Sequence, residues 1–421
     1  MIKEKLGNFI DVSRGMTLPG INYSTTGKYI RLTLGNFNEK GGFKDNTSKK
    51  DIYYNGKIKP EFLLKKGDLI TPLTEQTYGL LGSTARIPES NKYVQSQDVG
   101  LIKCKEGKLA PSFCYYLISS PMVRKQLSAA AQQTKIRHTS PDKIKDVMVI
   151  VPEYENQVKI GILLDALTNK IELNNKINAE LERMAKTLYD YWFIQFDFPD
   201  GNGRAYKSSN GPMVYNEVLK REIPAGWKVE TLLENSLTKL IKTGIPTFKG
   251  EKIYLPTACI SEDKIIDTTT KITYENRESR ANMMPIQNSV WFAKMKNTNK
   301  HLYFGDYSQD RINKIILSTG MCGLECPDYA LEYLWNFIQN KQFEDTKDIL
   351  ASGAIQPAIN NNDLNSIYIL IPDTSVLKMY SQKVKPLLEM KYNNEEEIFK
   401  LEKLRDFLLP LLMNGQVKVE Q

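Results

Sequence analysis

Histidine is almost missing from this sequence, with two residues, His138 and His301, in 421. Histidine-based acid–base chemistry and multi-histidine metal sites are therefore poorly supplied. Cysteine is sparse and odd in number, five in all, which argues against a disulfide framework and fits a reducing cytoplasm. Cys322-x-x-x-Cys326 has no second pair nearby to complete a zinc site. Long apolar runs are missing as well. Val147–Val151 and Ile367–Ile371 are among the longest, far short of the ~20 residues of a membrane helix. The opening Met1-Ile2-Lys3-Glu4-Lys5 lacks the apolar stretch of a secretory signal, so none is expected.

Catalytic motifs are equally scarce. The Gly-Lys pairs starting at Gly27, Gly56 and Gly107 continue with Tyr29, Ile58 and Leu109, so none forms a phosphate-binding loop. Gly201-x-Gly203 has Tyr206 where a dinucleotide turn needs its third glycine. No Asn-Pro-Pro-aromatic tetrapeptide of the amino-methyltransferase kind occurs. Asp328, Asp345 and Lys347 have the residue types of a metal-dependent nuclease core, but the segment between them reads as a helix where that core needs strands. No catalytic residue and no metal ligand is assigned.

What remains describes a folded, basic protein. Hydrophobic residues make up 41% and charged residues 25%, the composition of a globular chain. Its length suggests two to four domains. The 57 Lys+Arg against 49 Asp+Glu leave a net charge of +8, which permits nucleic-acid binding without proving it.

The chain also repeats itself at an offset of 220. Val151-Pro152 aligns with Ile371-Pro372, Val147–Ile150 with Ile367–Leu370, and Leu181-Glu182-Arg183-Met184 with Leu401-Glu402-Lys403-Leu404. Ile144 pairs with Leu364 and Asp142 with Asn362. Strand, proline and helix follow in the same order both times, as in two diverged halves.

Each half closes with a long amphipathic helix. In the first, Ile160, Leu164, Leu167, Ile171, Ile177, Leu181, Met184, Leu188 and Tyr191 recur mostly at steps of three and four, with Asn174 in the stripe. In the second, Tyr380, Val384, Leu387, Ile398, Leu401, Leu404, Leu408 and Leu411 recur likewise, interrupted by Lys391 and Glu395–Glu397. Glu153 and Asp373 place negative charge at the helix starts, and Pro410 is expected to bend or end the second helix. A continuous helix over 156–192 would be roughly 55 Å long. A single apolar stripe needs a partner. Either the two helices pack on each other as a coiled-coil rod, or each packs on its own globular segment.

Ahead of each helix lies a segment of mixed α/β pattern. In residues 1–152 the strand candidates are Tyr29–Leu32, Asp68–Ile70 and Val99–Ile102, with a helix over Pro111–Leu127. In residues 227–372 they are Lys252–Leu255, Ser289–Phe292 and Lys314–Leu317, with a helix over Tyr329–Asn340. Between the halves, Asp197–Gly203 and Ser208–Pro212 are dense in Gly, Pro, Asn and Ser and read as turns and a linker.

The junction Leu188-Tyr189-Asp190-Tyr191-Trp192-Phe193-Ile194-Gln195-Phe196-Asp197-Phe198-Pro199 resembles the central region of the specificity subunits of Type I restriction–modification systems. So does its continuation through Gly211–Tyr215 to Ile223-Pro224-Ala225-Gly226-Trp227. Val149–Gln157 is similar to that family's approach to the helix, and Gly67-Asp68-Leu69-Ile70-Thr71 to a strand of its recognition domains. The resemblance spans the whole chain. The second half departs from it, because Ile371–Leu377 lacks the acidic-x-Gln of Glu155 to Gln157.

The resemblance implies a mixed α/β fold with two target-recognition domains separated by two long antiparallel coiled-coil helices, in a pseudo-two-fold internal repeat. Residues 1–152 and 227–372 would be the recognition domains. Residues 153–226 would be the central helix and linker, and residues 373–421 the C-terminal helix. It further implies a non-catalytic DNA-specificity subunit in the cytoplasm, reading a split double-stranded target, with the helices as a ruler. Two methyltransferase subunits would dock on the helices, and motor–nuclease subunits would join through them. No cofactor is expected in this chain; the family's partner subunits use S-adenosylmethionine, ATP and Mg2+. A coiled-coil adaptor without DNA readout, or a self-contained nuclease, are the alternatives.

Base edges are read by Arg, Lys, Asn and Gln, and phosphates by Lys, Arg, Ser and Thr. The polar loop with Thr74, Gln76, Thr77 and Tyr78, followed by Arg86, is one candidate contact region. Gln133, Thr134, Lys135 and Arg137 form another. Their second-half counterparts are Lys294, Lys296, Asn297, Asn299 and Lys300, with Ser352 and Gln356. The residues expected on the coiled-coil and docking faces are Leu164, Leu167, Ile171, Ile177, Leu181, Met184, Leu188, Val384, Leu387, Ile398, Leu401, Leu404 and Leu408. The junction aromatics Tyr189, Tyr191, Trp192, Phe193 and Phe196 are expected in a core where helix meets domain.

Overall fold

The structure, a computed structural model, describes residues 3–39, 41–46, 51–76, 79–130, 137–353 and 356–419. The chain divides into two compact units. One is Met1–Leu173 with Glu397–Gln421, and the other is Asn174–Glu396. Each long helix therefore contributes one part to each unit.

The two units repeat the same topology. In the first, an antiparallel sheet runs in the order Ile10–Arg14, Val99–Cys104, Leu69–Pro72, Ala85–Arg86. In the second, the order is Lys239–Leu240, Met321–Glu325, Ser289–Ala293, His301–Phe304. A second sheet in each unit carries one parallel pair, Ile30–Arg31 with Tyr93–Val94 and Lys252–Leu255 with Ile315–Ser318. Met148–Ile150, ahead of the first long helix, pairs antiparallel with Lys3–Lys5, and Tyr368–Ile371, ahead of the second, with Lys228–Thr231. Leu69–Pro72 and Ser289–Ala293 are buried along their whole length, which is why they lack an apolar–polar alternation.

The expected helix over Pro111–Leu127 is two helices, Pro111–Ser119 and Pro121–Ala130. Pro121 lacks the N–H that would continue the first, and Ser120 turns extended (φ −67°, ψ 150°). The second unit breaks at the matching place, Leu331–Gln339 then Lys341–Leu350, each boundary displaced by 220 residues. No proline does it there. Asn340 is extended and caps the next helix, its side chain accepting the Gln342 N–H.

The first long helix is Tyr154–Tyr189, followed by a π-helical turn over Asp190–Ile194. The second is Thr374–Met413 and runs through Pro410 instead of ending there. Three further residues keep it helical because Leu412 and Met413 are buried in the first unit's core. In both units the helices run antiparallel. In the first, Lys170 pairs with Glu397 at 3.3 Å, and Leu412 and Met413 share a core with Ile160 and Leu164. In the second, Asn394 donates to Asn178 at 2.9 Å, Lys391 pairs with Glu182 at 2.9 Å, and Tyr380 donates to the Ala185 carbonyl at 3.3 Å. The two packings left open by the sequence thus coexist: each helix segment packs on the other helix and on its own unit.

The buried line of the first helix is not quite the expected stripe. Leu164, Ile171 and Leu181 are buried and Leu167 and Leu188 partly so, but Ile177 and Met184 are 36% and 50% exposed. Asn178 and Ala185 take the inner positions, because a 3.6-residue turn drifts from a strict heptad. On the second helix Val384 is buried and Leu387, Ile398, Leu401 and Leu408 are half-buried, while Leu404 points outward.

The polar interruption of the second helix has a structural use. The Lys391 ammonium is buried among Glu182, Asp263 and Glu395. Burial alone would lower its pKa, but those three carboxylates outweigh it and the net shift is upward. Asp263 is correspondingly held below its ordinary value, burial opposing and Lys391 prevailing. Arg311 reaches Glu395 and Glu396 (3.3 and 2.8 Å) and lies over the Tyr392 ring. These pairs bind both helices to the second globular segment.

The junction aromatics form the second unit's core, as expected for Tyr189, Trp192, Phe193 and Phe196. Tyr191 is exposed. Phe193 meets Tyr333 at 4.7 Å and Tyr380 at 4.9 Å. The segment read as a linker is folded onto this core, with Phe198 stacked between Tyr206 and Trp227. Asp197 accepts both the backbone N–H and the hydroxyl of Ser208 at 2.7 Å.

Candidate nucleic-acid interface

In each unit the structure brings together the two loops that the sequence singles out. In the first, Thr74–Glu75 pairs antiparallel with Arg137–His138. In the second, Met295 bridges to Ala358, and Ala358 bridges to Ser352. The Lys296 N–H donates to the Pro357 carbonyl at 2.9 Å, and Ile359 N–H to the Lys294 carbonyl at 3.0 Å.

The loops are pinned from behind. Glu75 is buried, and its Oε2 accepts the N–H groups of Gly79, Leu80 and Leu81 at 3.0, 2.8 and 3.0 Å. Its Oε1 accepts from Arg137 at 2.9 Å. Arg124, on the helix behind, donates to the Gly79 carbonyl. In the second unit the fully buried Lys347 does the equivalent, donating to the Thr298 carbonyl at 2.9 Å. Lys347 also pairs with Glu344, which lies 2.7 Å from His301 Nε2. Asp348 accepts the N–H of Asn297, a residue in the left-handed region (φ 53°). A basic side chain from the second helix of each helix pair thus fixes one loop carbonyl. Such support presets a loop before any ligand arrives.

The predicted contact residues divide accordingly. Gln76, Lys296, Asn297, Asn299, Ser352 and Gln356 are exposed on these loops, and Lys294 is half-exposed. Thr74 is buried, and Arg137 is committed to Glu75 and Ser128. Lys300 donates to the Thr257 carbonyl at 2.7 Å. Arg86 belongs elsewhere: it pairs with Asp165 of the first long helix at 2.8 Å and lies over the Tyr115 ring. These side chains are spent on structure because a buried carboxylate or carbonyl stands within reach, which spacing cannot reveal. Thr77, Tyr78, Gln133, Thr134 and Lys135 lie outside the described residues.

The nuclease-like residues do not assemble. Asp328 and Asp345 are exposed, while Lys347 is buried in its loop-holding role. Among the described residues no cluster of three metal-ligating side chains forms, and no helix is long and apolar enough to cross a membrane.

The sequence missed three positioning residues. Arg124 and Lys347 carry no local signal, being ordinary helix cations. Gln157, noticed only as a motif letter, is buried and accepts the Ala110 N–H at 2.8 Å while donating to the carbonyls of Lys108 and Pro152. It thereby joins the start of the long helix to the start of Pro111–Ser119. Its second-half counterpart, Leu377, is fully buried in the second unit's core. The departure from the motif is a polar tie exchanged for apolar packing.

Comparison with known proteins agrees with this organisation. Residues 3–183 match the family described as Type I restriction modification DNA specificity domain. The Type I restriction enzyme MjaIX specificity subunit of Methanocaldococcus jannaschii is 26% identical over 331 residues, covering 75% of this chain and 71% of that one. The HindI specificity subunit of Haemophilus influenzae is 22% identical over 393 residues, covering 78% and 82%. The crystal structure of a Type I restriction–modification S subunit from M. genitalium shares the fold, with a TM-score of 0.59 and 14% identity over 98% of this chain and 96% of that one.

Proposed function

We propose that this chain, which is similar to the specificity subunits of Type I restriction–modification systems, is such a subunit and not a catalytic one, and that each of its halves reads one part of a split double-stranded DNA target. The recognition domains are residues 1–152 and 227–372, and the helical segments 153–226 and 373–421 carry the partners. The observation that carries this reading is the duplicated pair of loops, each pinned by a cation from the second helix of its helix pair and each exposing amide or cationic side chains. Gln76 serves the first half, and Lys296, Asn297, Asn299, Ser352 and Gln356 the second. Amides and lysines of this kind meet base edges and phosphates.

Two methyltransferase subunits dock on the helices, and motor–nuclease subunits join through them. Exposed apolar side chains support the docking: Ile162, Leu173, Leu404 and Phe407 in the first unit, and Ile177, Met184 and Met390 in the second. The cofactors, S-adenosylmethionine, ATP and Mg2+, belong to those partners, and the complex works in the cytoplasm.

The test is single-molecule methylation sequencing of DNA from a host carrying the cognate methyltransferase subunit, with and without this chain. A split motif that appears only with the chain establishes the reading. A stable complex with no chain-dependent mark overturns it.

A further inference from the structure

The first unit holds a polar cleft of about 220 Å³ whose walls include Tyr23, Arg31, Thr33, Gln76, Gln97 and Asp98. It opens beside Gln76, the exposed residue of the pinned loop. Two of its wall residues come from one sheet. Arg31 lies on Ile30–Arg31, and Tyr23 on the strand two places away.

Arg31 is held in a fixed pose. Its guanidinium carbon lies 3.9 Å from the Tyr23 ring centroid, its Nε donates to the Asp51 carbonyl at 3.0 Å, and Tyr23 is itself tied to the Leu18 carbonyl at 3.0 Å. Stacking and the Nε bond use one face and one edge of the fork. No described residue takes the two terminal nitrogens. Asp98 shares the cleft, and no described cation pairs with its carboxylate. An arginine and an aspartate lining one cleft without pairing with each other offer a donor fork and an acceptor to the same ligand.

We propose that this cleft reads one G·C pair of the target, with Arg31 donating to the guanine and Asp98 accepting from the cytosine; the inference rests on the DNA-reading function proposed above. The cleft is smaller than the ~300 Å³ at which pockets for free small molecules begin, so it suits an inserted base edge. In the major groove guanine presents two acceptors, O6 and N7, which an arginine fork matches, and cytosine presents an N4 donor, which a carboxylate accepts. Two amides also line the cleft: Gln97, which already accepts the Thr17 hydroxyl at 3.0 Å, and Gln76 on the pinned loop.

The full chain is expressed with its cognate methyltransferase subunit, and the methylated motif is sequenced for wild type, Arg31→Ala, Arg31→Lys and Asp98→Asn. The expected result is a single G·C position, in one half of the motif, that loses discrimination by roughly 5- to 150-fold, while the other half stays intact. Arg31→Lys keeps the charge but loses the fork, so it relaxes the same position. If Arg31→Ala abolishes methylation with a lowered melting temperature, Arg31→Lys and Asp98→Asn decide. A wild-type split motif left unchanged by both of those overturns this inference alone. Absence of any chain-dependent motif in wild type overturns the DNA-reading function itself.

Discussion

At the scale of single residues, the ionisable groups that matter are those placed where their charge is costly. Glu332 is buried on the helix Leu331–Gln339, its Oε2 has no hydrogen-bond partner, and burial pushes its pKa up to about 7. The unfolded chain ionises this carboxyl near 4.5. Between those values the folded state keeps a proton that the unfolded state releases. Stability therefore falls as pH rises from about 4.5 to about 7, by roughly 3 kcal/mol at most, and is flat above. Glu332→Gln is expected to be more stable than wild type at pH 8 and indistinguishable at pH 4, which urea unfolding at the two pH values measures. Glu75 is buried too, but its carboxyl oxygens accept from three backbone N–H groups and Arg137. Arg137→Ala removes its cation and should cost about 3–5 kcal/mol. Hydrogen exchange at Gly79, Leu80 and Leu81 should speed up, with little change in the second unit; unchanged protection there contradicts the pinning role.

At the scale of elements, the long helices are held less by a uniform apolar stripe than by specific ties. Lys391 is the strongest test. Lys391→Ala leaves Glu182 and Asp263 without their cation and should destabilise the second unit by about 3–5 kcal/mol. Lys391→Met together with neutralised partners should recover much of this, as a double-mutant cycle of thermal unfolding would show. Helix contact with the first domain is governed by space. A Cβ on Gly161 would stand 2.8 Å from the Ser112 Cβ and 3.2 Å from the Phe113 nitrogen. Gly161→Val is therefore expected to force the long helix away from Pro111–Ser119 and lower the melting temperature by several degrees.

At the scale of the whole molecule, the helices cross the boundary between the units, so sequence adjacency misleads about stability. Glu397–Gln421 follows the second half in the chain but belongs to the first unit, where Leu412 and Met413 are buried. Truncation after Glu396 should therefore loosen the first unit. Each of the two buried side chains contributes about 1.5–3 kcal/mol. Hydrogen exchange should accelerate in Val99–Cys104 and Pro111–Ser119 and remain slow in Ser289–Ala293; the reverse pattern contradicts this division.

The sequence by itself determined the duplication. Its offset of 220 is legible because the repeat is carried by local periodicity and by Pro152 and Pro372, which act within a few residues; the break of each helix pair, which keeps the same offset, reads as one helix in the sequence and comes only from the structure. It also marked most of the aromatic junction and the two polar loops of each half, since polar segments flanking buried strands are readable locally, but that those loops meet is a finding of the structure. Only the tertiary structure decided which polar residues in those loops remain available. Arg86, Arg137 and Lys300 are as polar in sequence as Gln76 or Lys296. They are distinguished by Asp165, Glu75 and the Thr257 carbonyl, partners 79, 62 and 43 residues away. The same holds for Lys391, which reads as a flaw in a stripe until Asp263, 128 residues distant, closes on it. Charge satisfaction is a long-range condition, and a linear pattern carries no record of which distant group meets it.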